Sequence, residues 1–127
     1  MSDILNVLSI LRRLRGPGGC EWDQRQTHIS FAPKIEEEAS EVVDAIEQDD
    51  DTALCEELGD VLINIALHCV IAEERGAFTF DDVVRMAREK LIRRHPHVFG
   101  DAPRPKDDAE LHAQWKRIKA EEGKTAS

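Results

Sequence analysis

The segment Ile35-Glu36-Glu37-Glu38-Ala39-Ser40-Glu41-Val42-Val43-Asp44-Ala45-Ile46 recurs 19 residues later as Leu54-Cys55-Glu56-Glu57-Leu58-Gly59-Asp60-Val61-Leu62-Ile63-Asn64-Ile65. At that shift Glu38 matches Glu57 and Glu41 matches Asp60. The apolar residues Ile35, Ala39, Val42, Val43 and Ile46 match Leu54, Leu58, Val61, Leu62 and Ile65. Apolar positions at i, i+4, i+7, i+8 and i+11 mark one face of a helix. With about 100° per residue, Glu38 and Glu57 sit at one edge of that face and Glu41 and Asp60 roughly 60° further round. Two helices thus present an acidic pair at the same place beside an apolar stripe, which the pattern predicts to be buried.

The connection between them sets the height of these pairs. Gln48-Asp49-Asp50-Asp51 is the stretch that reads as a turn, and helices joined by so short a loop pack antiparallel. Both pairs then lie roughly 14 Å from the turn at ~1.5 Å per residue. Like charges ~4 Å apart repel by on the order of 4 kcal/mol at an effective dielectric of ~20. Such a cluster must splay into water, hold protons or bind a cation. The donors are all oxygens, which suit Mg²⁺, Mn²⁺ or Ca²⁺ rather than Zn²⁺. The Asp49-Asp50-Asp51 run lacks the glycine of an EF-hand loop, with Leu54 in its place, and reads instead as a turn favouring the next helix N-terminus. Carboxylate-held Mg²⁺ keeps several waters and is completed by substrate phosphates. The metal therefore points toward a phosphate ester.

A length of 127 residues fits one domain, and 41% apolar content supplies one core. With 5% aromatics and many Leu, Ile, Val and Ala residues, the expectation is all-α. A formal charge of −9 argues against a nucleic-acid binder or an anionic-membrane binder. Cys20, Cys55 and Cys69 lack metal-ligand spacing, and Cys55 and Cys69 are expected as reduced, buried thiols. Ile4 to Leu14 is too short and too interrupted for a membrane span, and Arg12, Arg13 and Arg15 follow where a signal peptide would have a cleavage site. The expected location is the cytoplasm.

Five helices are predicted. The first runs from Asp3, as a cap, to Leu14, and Gly16-Pro17-Gly18-Gly19 ends it. A loop with Trp22 and Asp23 leads to the second, which starts near Ser30 to Pro33 with Pro33 in the first turn and ends near Glu47. The third spans Thr52 to about Arg75, closed by Gly76. The fourth starts after Thr79 with Asp81 and Asp82 at its N-terminus and stops at Pro96. A linker from Gly100 to Asp107 precedes a fifth helix, Asp108 to about Glu122. One helical domain over 1–122 and a disordered tail over 123–127 are expected.

Positive charge concentrates in Lys90-Leu91-Ile92-Arg93-Arg94-His95-Pro96-His97-Val98-Phe99. Cations in a last helical turn complement the helix dipole. A triphosphate also needs cations beyond the metal, and Lys90 and Arg94, at i and i+4, share a face. His95-Pro96-His97 is too cramped to place two zinc ligands on one helical face. Trp115, near Lys116 and Lys119, is either a core anchor or a plate on which a base stacks. Trp22 reads as packing.

Together these motifs resemble a known family. Glu37-Glu38-x-x-Glu41 followed by Glu57-x-x-Asp60 is similar to the signature of the MazG-type all-α nucleoside triphosphate pyrophosphohydrolases. Gly18-Gly19-Cys20-Glu21-Trp22-Asp23 with Gln26-Thr27-His28 resembles the family's N-terminal loop, although Glu21 stands where Pro is usual. The segment from Lys90 to Phe99 resembles its basic segment, and Trp115-x-x-Ile118-Lys119 its C-terminal part. The carboxylate pattern alone fits several branches, including dimeric dUTPases and phosphoribosyl-ATP pyrophosphohydrolases; Arg93-Arg94-His95-Pro96-His97 selects the MazG branch. Many members carry two such domains in tandem where this sequence has one.

The resemblance implies Mg²⁺, with Mn²⁺ as a substitute, on Glu38, Glu41, Glu57 and Asp60. Glu37 would stand beside the metal shell to orient or deprotonate a water. Lys34, Lys90, Arg93 and Arg94 would contact phosphates and Trp115 the nucleoside. The implied reaction converts NTP or dNTP to the monophosphate and pyrophosphate, in nucleotide-pool house-cleaning. The implied fold is an antiparallel helical bundle completed by a second subunit, as a homo-oligomer (dimer or dimer of dimers). The competing readings are a dUTP-restricted hydrolase of the same superfamily and a non-enzymatic acidic helical adaptor.

Overall fold

The computed structural model describes residues 3–125 and shows seven helices and no strand among them. The chain divides into two compact units, one ending at Phe80 and the other beginning at Asp81. The first holds α1 (Asp3–Arg15), α2 (Glu21–Arg25), α3 (His28–Glu47) and α4 (Asp51–Glu74). The second is built from α5 (Phe80–Arg93), α6 (Pro96–Phe99) and α7 (Asp108–Thr125).

In the first unit α4 is the common partner, packing along α3 and against α1. Leu8 and Leu11 of α1, Phe31 of α3 and Ala66, Leu67, Val70 and Ile71 of α4 form its core. Two bidentate ion pairs fasten α1 to the end of α4, Arg12 to Glu73 and Arg15 to Glu74. Arg15 also donates from Nη1 to the carbonyls of Asp23 (2.6 Å) and Gln26 (2.9 Å), which ties down the end of α2. The turn after α1 brings Gly19 so close that a Cβ there would lie 2.2 Å from the Leu14 carbonyl oxygen.

The repeated apolar stripe departs from expectation. Ala39, Val43, Ile46, Leu58, Leu62 and Ile65 are exposed, several of them by 40% or more, and none joins the core. The physical reason is geometric. The α3–α4 pair has two sides, and α1 and α2 cover the part nearest Phe31 and Val70, away from the turn.

Helix ends differ from expectation in instructive ways. Asp3 is already helical, and the position before it lies outside the described residues. The α3 helix starts at His28, capped by Thr27, whose side chain accepts from Ser30 N while the Ser30 hydroxyl accepts from Thr27 N. Pro33 therefore falls in the second turn instead of the first. The acidic turn behaves as predicted, because the Asp50 carboxylate accepts from Ala53 N at 3.0 Å as the cap of α4. Two short helices, α2 and α6, occupy segments read as loop or helix stop. The last helix continues three residues past Glu122 to Thr125, and Ala126 and Ser127 lie outside the described residues. Cys69 is buried as expected, with burial pushing its thiol up, whereas Cys55, in the first turns of α4, is exposed.

Candidate functional site

Glu38 and Glu41 on α3 meet Glu57 and Asp60 on α4, with one oxygen from each lying within 4.8 Å of the others. The antiparallel hairpin produces this convergence, with the short turn holding the two copies of the motif level. Its span is close to the roughly 4.2 Å between opposite ligands around an octahedral Mg²⁺ at ~2.1 Å. Glu38, Glu57 and Asp60 are half-buried. Glu38 Oε2 and Glu57 Oε2 are buried oxygens without a hydrogen-bond partner.

The electrostatics follow from this crowding. Glu57 is pushed up to about 7, first by a hydrogen bond with Glu41, then by desolvation and by the like charges of Glu41, Asp60 and Glu38. Glu38 is also raised, mainly by desolvation and then by Asp60 and Glu41, while Lys34 opposes the shift. A cation bound among these carboxylates would relieve the same repulsion that raises Glu57 and Glu38. Four hard oxygen donors, two with unpartnered buried atoms, fit Mg²⁺, Mn²⁺ or Ca²⁺.

Glu37 lies outside the group of four and is exposed, 3.7 Å from Lys34 Nζ. Lys34 thus pairs with Glu37 one turn from Glu38. Further along the same two helices, His28 Nδ1 and His68 Nδ1 are 2.8 Å apart, with their rings parallel within 3°. Phe31 packs edge-on against His68, and Trp22, half exposed, edge-on against Phe31. The packing role expected of Trp22 matches this position.

In the second unit the basic segment is internally engaged. Arg94 Nη2 donates to Glu122 Oε1 at 2.8 Å, and Arg93 Nε donates to Glu122 Oε2. Those two guanidinium groups pull Glu122 down to about 2. Trp115 is half-buried and donates from Nε1 to the Arg94 carbonyl at 2.8 Å. Arg94, His112, Trp115, Lys116 and Lys119 line a cavity of about 290 Å³. Lys90 is exposed on the same helical face as Arg94.

Sequence reasoning missed the places of four residues, His28, His68, Asn64 and Glu122. The His28–His68 pair follows from extending the hairpin register two turns beyond the carboxylates. Asn64, buried four residues after Asp60, is a polar residue inside an otherwise apolar run, and that was a usable signal. Glu122 reaches Arg94 from 28 residues away, and no local pattern announces it.

An all-α chain whose antiparallel hairpin gathers four carboxylates is a helical protein with a candidate divalent-metal centre. The chain belongs to the family of the MazG nucleotide pyrophosphohydrolase domain, whose sequence profile matches residues 26–99. It is 52% identical over 116 residues to the nucleoside triphosphate pyrophosphohydrolase/pyrophosphatase MazG of Thermotoga maritima, covering 91% of this chain and 44% of that protein. It is 47% identical over 118 residues to the protein YabN of Bacillus subtilis, covering 93% of this chain and 24% of that protein. Against the nucleoside triphosphate pyrophosphohydrolase of Escherichia coli it is 43% identical over 123 residues, covering 96% and 46%. The chain thus spans between a quarter and a half of the length of these relatives. Among the described residues no helix is long and apolar enough to cross a membrane.

Proposed function

We propose that this protein is a nucleoside triphosphate pyrophosphohydrolase that converts NTP or dNTP to the monophosphate and pyrophosphate in the cytoplasm. The observation that carries the reading is the convergence of Glu38, Glu41, Glu57 and Asp60. Family membership and the activity for which the Thermotoga and Escherichia relatives are named support it. These four residues would hold Mg²⁺, with Mn²⁺ as a substitute. Bound there, the cation would polarise phosphoryl oxygens and lower the pKa of water.

The chain's own groups supply the rest. Glu37, acidic and exposed beside the cluster, would orient the attacking water and take its proton. Attack at the α-phosphorus forms a new P–O bond and breaks the bridge to the β-phosphorus, so pyrophosphate leaves. Lys34, Lys90, Arg93 and Arg94 would offset phosphate charge, and Trp115 would face the base. The exposed repeated stripe supports a homo-oligomer, because a second copy would take Val43, Ile46, Leu58 and Leu62 out of water.

A nucleotide panel with Mg²⁺ tests this reading, with products separated by chromatography and the reaction run in ¹⁸O-water. Monophosphate carrying the label, together with pyrophosphate, is the expected outcome, and activity on dUTP alone would narrow the substrate. Diphosphate and orthophosphate as first products would mean attack at the γ-phosphorus. Indifference to every nucleotide would leave a helical adaptor.

A further inference from the structure

Asn64 is 1% exposed, and neither its Nδ2 nor its Oδ1 has a hydrogen-bond partner. A buried amide left unpaired is costly, and leucine, of similar size, would avoid that cost. Its helical neighbours Ala66, Leu67 and Val70 do just that in the core. The position is informative. Asn64 follows Asp60 by four residues and Glu57 by seven, so all three lie on one face of α4. Helical side chains tilt toward the N-terminus, which leans the Asn64 amide toward Asp60. The hairpin register, with Glu41 bonded to Glu57 and His28 facing His68, puts Asn64 between the carboxylates and the histidine pair. The other buried unpartnered side-chain atoms found among the described residues belong to Glu38, Glu57 and His28, on the same two helices.

We propose that Asn64 is a positioning residue of the carboxylate centre, whose amide, unpaired in this structure, turns to Asp60 and to the hydration shell of the cation when the cation binds. The chemistry explains why an amide stands there. A carboxylate offers acceptors and no donor, whereas water polarised by a cation offers donors. A primary amide has both, with Nδ2–H for the carboxylate and Oδ1 for the water. Being neutral, it does this without adding a fifth negative charge. Groups that orient metal ligands in this way typically change metal affinity by about 10- to 100-fold when removed. The inference rests on the reading that the four carboxylates hold a divalent cation.

The test measures Mn²⁺ binding directly, from the electron paramagnetic resonance of free Mn²⁺, with thermal melts confirming that each variant is folded. Asn64→Leu should weaken Kd about 10- to 100-fold. The thermal stabilisation by Mn²⁺ should shrink accordingly. Asn64→Gln, which keeps the amide, should recover most of the affinity, and Asn64→Ala should resemble Asn64→Leu if the latter folds poorly. Wild-type Kd in Asn64→Leu and Asn64→Ala overturns the proposal, as does a Gln variant as weak as these. Asp60→Asn separates this failure from that of the metal reading. Wild-type protein that binds no Mn²⁺, or Asp60→Asn that binds it normally, overturns both.

Discussion

Arg94 Nη2 donates to Glu122 Oε1 at 2.8 Å, so the guanidinium expected to meet phosphate is closed on a carboxylate of its own chain. Phosphate and carboxylate both match the planar fork, and each can replace the other. If Arg94 takes phosphate during turnover, Arg94→Ala should lower kcat/KM by about 10- to 100-fold. Arg94→Lys should restore little of it, because a point charge cannot grip two oxygens. Wild-type kcat/KM with a lowered Tm would confine Arg94 to holding Glu122.

The same pair sets an acid limit. The Glu122 carboxyl is lowered to about 2 from its ordinary 4.5 by its hydrogen bonds to Arg94 and Arg93. A depressed carboxyl contributes stability that is complete above about 4.5 and disappears as pH falls toward 2. Trp115, bonded to the Arg94 carbonyl, reports on this unit. In a Trp22→Phe background its fluorescence should show acid loosening across that window. Glu122→Gln should flatten the profile; an unchanged profile would place the acid sensitivity elsewhere.

Neutralising the carboxylate centre should separate activity from folding. Glu38→Gln, Glu57→Gln and Asp60→Asn should each abolish nearly all turnover. Their metal-free Tm should hold or rise, since each removes like-charge repulsion, and Glu57 already carries a proton readily. Substantial residual turnover would sink the assignment of these ligands. A large metal-free loss of Tm would make the cluster structural.

The histidine pair predicts a second pH dependence. His68 is lowered from 6.5, first by burial and then by the charge of His28. A base lowered in the folded state adds stability that is complete above 6.5 and lost as pH falls through its folded value. At 2.8 Å only one of the two facing nitrogens can carry the proton. Glu57, raised to about 7, gives the opposite slope over the same window, so the pair is read by difference: the Tm of the wild type relative to that of His68→Gln should fall on acidification below neutrality. An equal slope in the variant would clear the pair.

Which features were legible in the sequence depended on the range of the interactions. The repeat from Ile35 and from Leu54 was readable because helical periodicity and a short turn fix the register of two neighbours without help from elsewhere. Glu38 meeting Asp60 is a local consequence of that register. The fate of the apolar stripe was not readable. Periodicity shows that a face is apolar, and only the placement of α1 decided that Phe31 and Val70 would be covered and Val43 and Leu62 left open. Short helices such as α2, with five residues, carry too little periodicity to register. The start of α3 was misplaced because its capping box uses Ser30 where Glu or Gln is the usual cue.

The three residues Gln48, Asp49 and Asp50 join α3 to α4, and Asp49 takes a left-handed φ of 54° there. They touch none of the chemistry, yet they clock one helix against the other. A single inserted residue that was passed on to α4 would turn it by about 100° and swing Glu57 and Asp60 off the seam. This linker therefore constrains its length more tightly than its letters, beyond the cap at Asp50 and the left-handed backbone at Asp49. A glycine at position 49 would suit the backbone, whereas an added residue would disarm a centre some ten residues away without disturbing any of its ligands.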